Sequence, residues 1–201
     1  LAALPEEKQP SACIGCGHCI AICPQSAVSA DDLPLDDLEP LTHFRDAEAL
    51  LKLMRSRRSC RHYQNQPVSQ EHITTLLSAA RACPTAKNLQ DTRYILVREH
   101  IPQLLDEALN ALGSVGRAQK ASTTDPGELR RAENFIRWAQ VRAEDKHFDP
   151  LFFHAPLLML FVSGRGDPRD AAAAASYTEL MAAALGLGSL YSGYFTACAS
   201  G

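Results

Sequence analysis

Apolar positions recur along this chain with two different periods, and the switches between them mark the expected elements. From Asp46 to Arg55, Leu50, Leu51, Leu53 and Met54 fall on one face of an amphipathic helix that ends in the basic run Arg55-Ser56-Arg57-Arg58. The segment from Ser69 repeats that period with Ile73, Leu76, Leu77 and Ala80. Ser69 is suited to cap it, and Pro84 to stop it. Thr85 to Thr92 reads as a polar loop, and Tyr94 to Val97 as a strand. Pro102 then opens a helix through Leu112, with Leu104, Leu105, Ala108, Leu109 and Leu112 on its apolar face and Gly113 as its stop. After a polar stretch, Glu128 to about Lys146 is helical but heavily charged, an exposed helix that packs through Leu129, Ile136, Ala139 or their neighbours. The unbroken apolar run Leu157 to Val162 predicts a fully buried strand, its end marked by Gly164 and Gly166. Asp167 as cap and Pro168 at the first helical position start a long alanine-rich helix through Tyr177, Leu180 and Met181 to Gly186. Gly188 to Phe195 reads as a turn leading into a short strand. Helices with few strands and no solenoid repeat predict an α+β main domain.

Composition divides the chain. Asp31 to Pro40 is acidic and interrupted by Pro34 and Pro40, the character of a surface linker. The expected organisation is a small N-terminal unit over residues 1–30, an acidic linker over 31–45 and the main domain over 46–201. A length of 201 residues with 46% hydrophobic composition supports this arrangement. A net charge of −3 and a pI near 6.2, with no basic stretch interleaved with aromatics, argue against nucleic acid as a partner. The apolar run Ala155 to Val162 is too short to cross a bilayer as a helix, so no membrane is expected and the protein is placed in the cytoplasm.

Four of the seven cysteines lie in Cys13-Ile14-Gly15-Cys16-Gly17-His18-Cys19-Ile20-Ala21-Ile22-Cys23-Pro24. This is the C-x-x-C-x-x-C-x-x-x-C-P run of bacterial ferredoxins. Spacing by two lets Cys13, Cys16 and Cys19 curl round one 4Fe–4S cluster, while Gly15 and Gly17 bring backbone N–H groups close to its sulfides. Cys23 and Pro24 are expected in the first turn of a helix, with Cys23 serving a second cluster. Structural zinc prefers two C-x-x-C pairs a dozen or more residues apart, and disulfides need an oxidising compartment. The chain begins at Leu1, a dozen residues before the motif, and lacks a matching half motif. The expectation is that the upstream half is missing and that the intact protein holds two 4Fe–4S clusters. Cys60, Cys83 and Cys198 read as small core residues, and His18 and His62 as surface or packing residues.

A second constellation follows the first long helix. Arg57-Arg58-Ser59-Cys60-Arg61 has an anion-binding composition, since guanidinium forks match phosphate oxygens and a hydroxyl adds a donor. Pro84-Thr85-Ala86-Lys87-Asn88-Leu89-Gln90 supplies side-chain amides in a loop, and Gly186-Leu187-Gly188-Ser189 supplies a bare backbone turn. A phosphate, a polar ring edge and a flat ring face need these three things, and they are the parts of FMN.

Arg57-Arg58-Ser59-x-Arg61-x-Tyr63 with Pro67-Val68, then Pro84-Thr85-Ala86-x-Asn88-x-Gln90, and an alanine-rich helix ending Gly186-Leu187-Gly188-Ser189 together resemble the nitroreductase family of FMN oxidoreductases. With the cysteine run in front, the chain is similar to ferredoxin–nitroreductase fusions over about Cys13 to Phe195. The resemblance implies that Arg57, Arg58 and Ser59 hold the FMN phosphate and ribityl chain. Arg61 would lie near the pyrimidine end of the ring, and Asn88 and Gln90 would meet its polar edge from the Pro84-Thr85 loop. Gly186, Leu187 and Gly188 would pass close to the ring. It further implies a homodimer with flavin between the subunits, a ferredoxin or NAD(P)H-linked electron donor, and a small electron-poor acceptor such as a nitroaromatic, quinone or activated alkene. Gln90-Asp91-Thr92 departs from the family, which shows proline and an aromatic after the glutamine. The family also continues past the position of Gly201 with a strand and a basic residue at the phosphate, so the domain is expected to be incomplete at its C-terminus. The alternative from another class is a non-catalytic electron carrier whose larger domain is a flavin-free docking scaffold.

Overall fold

The computed structural model describes residues 14–25, 27–28, 46–164 and 167–199. The expected linker over 31–45, together with Cys13, Gly166 and Gly201, lies outside the described residues. A four-residue helix, α1 (His18–Ala21), sits in the cysteine run. The main body follows as α2 (Ala47–Ser56), α3 (Gln70–Arg81), a 3-10 turn (Ala86–Asn88), β1 (Arg93–Val97), α4 (Ile101–Ser122), α5 (Pro126–Glu144), β2 (Leu158–Val162), α6 (Pro168–Ala184) and α7 (Gly193–Ala199). This is the mixed α+β architecture that the periodicity predicts.

Ser69 and Asp167 cap their helices as expected, and Asp46 does the same for α2. Asp46, Ser69 and Asp167 accept from the backbone N–H groups of Ala49, His72 and Arg169, satisfying donors that have no intrahelical partner. α5 starts two residues before the expected Glu128, with Pro126 in its first turn and Asp125 accepting from the Glu128 N–H.

β1 and β2 pair antiparallel, Tyr94 opposite Phe161 and Val97 opposite Leu158. Side chains alternate along a strand, so these two pairs face opposite sides of the ribbon. On one side, Val97 and Leu158 lie against the main core of Leu105, Leu109, Leu112, Phe135, Leu151 and Phe152. On the other, Tyr94 and Phe161 meet edge to face at 5.8 Å over Ala80, Cys83 and Ala174, where α3 packs on α6. The alanines of α6 at 171, 174, 175 and 182 are buried and permit that approach. The ribbon is thus the middle layer between two helical layers.

Four sequence expectations are corrected. β2 is half-buried rather than fully buried, because among the described residues β1 is its only strand neighbour and both edges of the ribbon are open. Gly113 does not stop α4, which runs nine residues further. A Cβ at Gly113 would lie 2.8 Å from Ala139 Cβ, and one at Gly116 2.6 Å from the Ala132 carbonyl oxygen, so both glycines serve contact between α4 and α5. The segment expected as a terminal strand is the helix α7, which packs on α4 through the level of Phe195 and Cys198. Cys23 and Pro24 follow α1 in a turn instead of starting a helix; Gly17 caps that helix and Cys23 lies beyond its end.

α4 and α5 run side by side in opposite directions, locked by Arg142. This buried side chain donates through Nε to Asp106 Oδ1 at 2.6 Å and through Nη1 to the carbonyl oxygens of Lys146 and Phe148. The guanidinium, with Lys146 added, holds the Asp106 carboxyl below its usual range. Among the described residues no helix is long and apolar enough to cross a membrane.

Candidate functional site

The C-terminus of α2 delivers the chain into an extended segment at Arg57, and the C-terminus of α6 delivers it into a tight turn at Gly186. At Gly186 φ is +73°, which glycine adopts without strain, and the Leu187 N–H returns to the Ala182 carbonyl at 2.8 Å, closing the helix. The turn then comes alongside the extended segment. Ser59 pairs with Ser189 in a parallel bridge, and the Cys60 N–H donates to the Ser189 carbonyl at 2.8 Å. Two of the three motif groups predicted from sequence are therefore in direct contact.

Within this seam the expected residues differ in availability. Arg57 is half-buried and faces Glu179 of α6 at 3.7 Å, so part of its charge is matched inside the chain. Arg58 and Ser59 are exposed. Arg61 is exposed too, and its guanidinium lies 5.9 Å from the centre of the Phe153 ring, within cation–π range. Gly188 is explained by its neighbour, since a Cβ there would sit 2.7 Å from Cys60 Sγ. At Gly186 a Cβ would meet nothing within 4 Å, which leaves open space at that end of the turn. Tyr63 donates to the Cys60 carbonyl at 2.9 Å, and burial pushes its hydroxyl up to about 12. It stays a protonated donor across the physiological range.

The third motif group lies elsewhere. The Pro84–Gln90 loop is fastened to the opposite end of α6, where the Ala86 N–H meets both carboxylate oxygens of Asp170 at 3.3 Å. Thr85 Oγ1 accepts from the Gln90 N–H at 3.0 Å, and Gln90 Nε2 donates to the Cys83 carbonyl and to Asn88 Oδ1, each at 3.3 Å. Cys83 beneath it is buried, and burial first and Asp170 second push its thiol up, so it remains an inert thiol. Asp170 and the seam are separated by most of α6, roughly 20 Å at 1.5 Å per residue. One chain thus does not bring Asn88 and Gln90 together with Gly186, Leu187 and Gly188 around one flavin ring.

In the cysteine run, Gly15 and Gly17 have φ of +62° and +68°, turning the backbone between the thiols as the motif requires. Cys16 and Cys19 are exposed thiols, Cys23 is half-buried with its sulfur accepting from the Ala27 N–H at 3.3 Å, and none of the three forms a disulfide. A Cβ at Gly15 would meet nothing within 4 Å. Soft thiol donors, open space and left-handed glycines suit an iron–sulfur cluster. Among the described residues no three His, Cys, Asp or Glu side chains converge on one ion; Cys13, expected to share a cluster with Cys16 and Cys19, lies outside them.

The anion half of a flavin site also fits: two exposed guanidiniums and a hydroxyl beside a bare backbone turn. Sequence reasoning missed Glu179, Asp170 and Phe153 as partners of the motif residues. Glu179 stands out as an acid in the middle of an alanine-rich helix, whereas nothing local distinguishes Asp170 or Phe153.

A model of the nitroreductase family matches residues 54–199, and a model of the 4Fe-4S binding domain matches residues 7–29. No curated protein matches at a significant level. Among solved structures, the chain is similar to a nitroreductase with bound FMN from Bacteroides fragilis, with 18% identity and a TM-score of 0.50 over 68% of this chain and 65% of that one. It is also similar to an FMN-dependent nitroreductase from Clostridium difficile, with 23% identity and a TM-score of 0.50 over 69% of this chain and 57% of that one. A nitroreductase with bound FMN from Desulfitobacterium hafniense gives 22% identity and 0.50 over 75% and 73%. The chain thus spans less than two thirds of the first two structures, and at these identities the likeness is one of fold.

Proposed function

This chain belongs to the nitroreductase family, and from that premise we propose that it is an FMN-dependent oxidoreductase that takes electrons through 4Fe–4S clusters and reduces a small electron-poor acceptor. The observation that carries the reading is the Ser59–Ser189 bridge, which sets the basic hydroxyl-bearing segment directly against the glycine turn. When bound, the clusters supply single electrons and FMN collects them for two-electron reduction.

Arg58 and Ser59 hold the phosphate as exposed, charge-assisted donors, with Arg57 contributing less because Glu179 shares its charge. Arg61, steadied over Phe153, provides the cation for the pyrimidine end. Leu187 and Gly188 present backbone to the ring, kept close by the Gly188–Cys60 contact. Pro84 and Thr85 shape the loop from which Asn88 and Gln90 reach the polar edge. Because that loop and the seam lie at opposite ends of α6, a complete site takes the loop from one protomer and the seam from another, which favours a homodimer. Cys13, Cys16 and Cys19 hold one cluster, and Cys23 serves a second. The acceptor is a flat nitroaromatic, quinone or activated alkene, the donor a ferredoxin or an NAD(P)H-linked protein, and the setting the cytoplasm.

The test is anaerobic reconstitution of the full chain with iron, sulfide and FMN. Flavin absorbance over a broad iron–sulfur shoulder is expected, and Arg58→Ala should weaken FMN binding about tenfold, or about 1.4 kcal/mol. Iron bound without any flavin would sink the proposal.

A further inference from the structure

The cysteine run and the Pro84–Gln90 loop, far apart in sequence, are joined by one hydrogen bond: Asn88 Nδ2 donates to the Ile14 carbonyl at 3.0 Å. Ile14 stands between Cys13 and Cys16, so this carbonyl belongs to the backbone that carries the first two thiols. Asn88 is itself held. Its Oδ1 accepts from Gln90 Nε2, which also donates to the Cys83 carbonyl, while Thr85 and Asp170 secure the backbone on either side. Hydrogen bonds at either end and the short backbone from Ala86 to Asn88 therefore link the first turn of α6 to the cysteine run.

Two further observations show that the contact is built. Lys87, Asn88 and Gln90 have φ of +55°, +54° and +47°, three side-chain-bearing residues in left-handed conformations within one short loop. Such conformations are costly for residues that carry a Cβ and persist only where the surroundings over-determine them. Asparagine is among the residues that tolerate it best, and the conformation puts its amide within reach of Ile14. Ile20 of α1 is also buried, at 6% exposure, so this short helix is covered on one face instead of being fully solvated. A carboxamide has two N–H donors and two acceptor lone pairs. The bonds to Ile14 and Gln90 use one of each, which leaves a donor and an acceptor for a flavin edge.

We propose that Asn88 is a positioning residue for electron transfer, fastening the cysteine run to the loop assigned to the flavin edge so that both are held as one body. Its role between cofactors rests on the function proposed above; the tie itself does not. Asn88→Asp is the informative variant. It keeps the size, the tolerance of left-handed backbone and the acceptor for Gln90, but replaces the donor to Ile14 with a carboxylate that repels the carbonyl.

The experiment compares parent and N88D full chains reconstituted with iron, sulfide and FMN. Hydrogen exchange of the amides over residues 14–23 should be at least tenfold faster in N88D, with α3 and α6 unchanged. The midpoint potential of the iron–sulfur centre should move to a more negative value, because added negative charge nearby opposes the incoming electron. Parental exchange and potential in N88D overturn the proposal. If FMN fails to bind the parent while both shifts occur, the flavin reading fails and the tie stands. FMN bound with neither shift leaves the flavin reading intact and removes the tie.

Discussion

Helices α2 and α4 carry similar apolar stripes and meet different fates. Leu105, Leu109 and Leu112 of α4 are 3%, 0% and 1% exposed, whereas Leu50, Leu51 and Met54 of α2 are 45%, 45% and 46% exposed. α4 is followed at once by α5, which folds back along it, and α7 and the β-ribbon complete its surroundings. Among the described residues, α6 is the main element packed against α2, which the chain leaves as the extended segment at Arg57. The stripe dictates a helix with one apolar face; what covers that face is decided by chain elsewhere.

The largest expected effect falls on the covered helix. Leu109→Ala should destabilise the chain by about 4 kcal/mol, read from urea unfolding, because it empties a fully buried position between α4 and α5. A loss below 1 kcal/mol would mean that this core collapses freely.

Arg142→Met should follow at about 3 kcal/mol, since it strips bonds from Asp106 and two backbone carbonyls. Part of that loss depends on pH. Asp106 has a lowered folded pKa, so its pairing stabilises above the unfolded carboxylate value of about 3.9 and is lost as pH falls through the folded value. The gap between variant and parent should therefore narrow as pH drops below about 4, and modestly, because the Asp106 side chain is 37% exposed. A gap independent of pH would assign the whole effect to the carbonyl bonds.

The smallest effect belongs to α2. Leu51→Ala should change unfolding stability by about 0.5 kcal/mol or less at concentrations where the chain is monomeric. A cost approaching that of Leu109→Ala would erase the contrast between the two helices.

How much of this was legible depended on how far each cause lies along the chain. Caps at Asp46, Ser69 and Asp167 act within three residues, and those helix starts could be read directly. Gly113 resembles a stop in sequence, but its role is set by Ala139 of the following helix. The run Leu158–Val162 announces a strand without stating how many neighbours it has, and Gly193–Ala199, rich in aromatic residues, took a helix by packing on α4. At the site, residue types named the seam and the loop, and the bridge from Ser59 to Ser189 joins two of the three motifs. Their positions at opposite ends of α6, and the bond from Asn88 to Ile14, involve partners that no local pattern encodes.

The antiparallel run of α4 and α5 bears on how the β-ribbon can form. The chain between β1 and β2 holds both long helices, an excursion whose closure as a flexible coil would carry a substantial entropic penalty. Folded back on itself, with Gly113 and Gly116 against Ala139 and Ala132, that excursion returns near its origin. The strands then meet across an effectively short connection. Whole turns could be added to or removed from both helices together without disturbing the register of Tyr94 on Phe161.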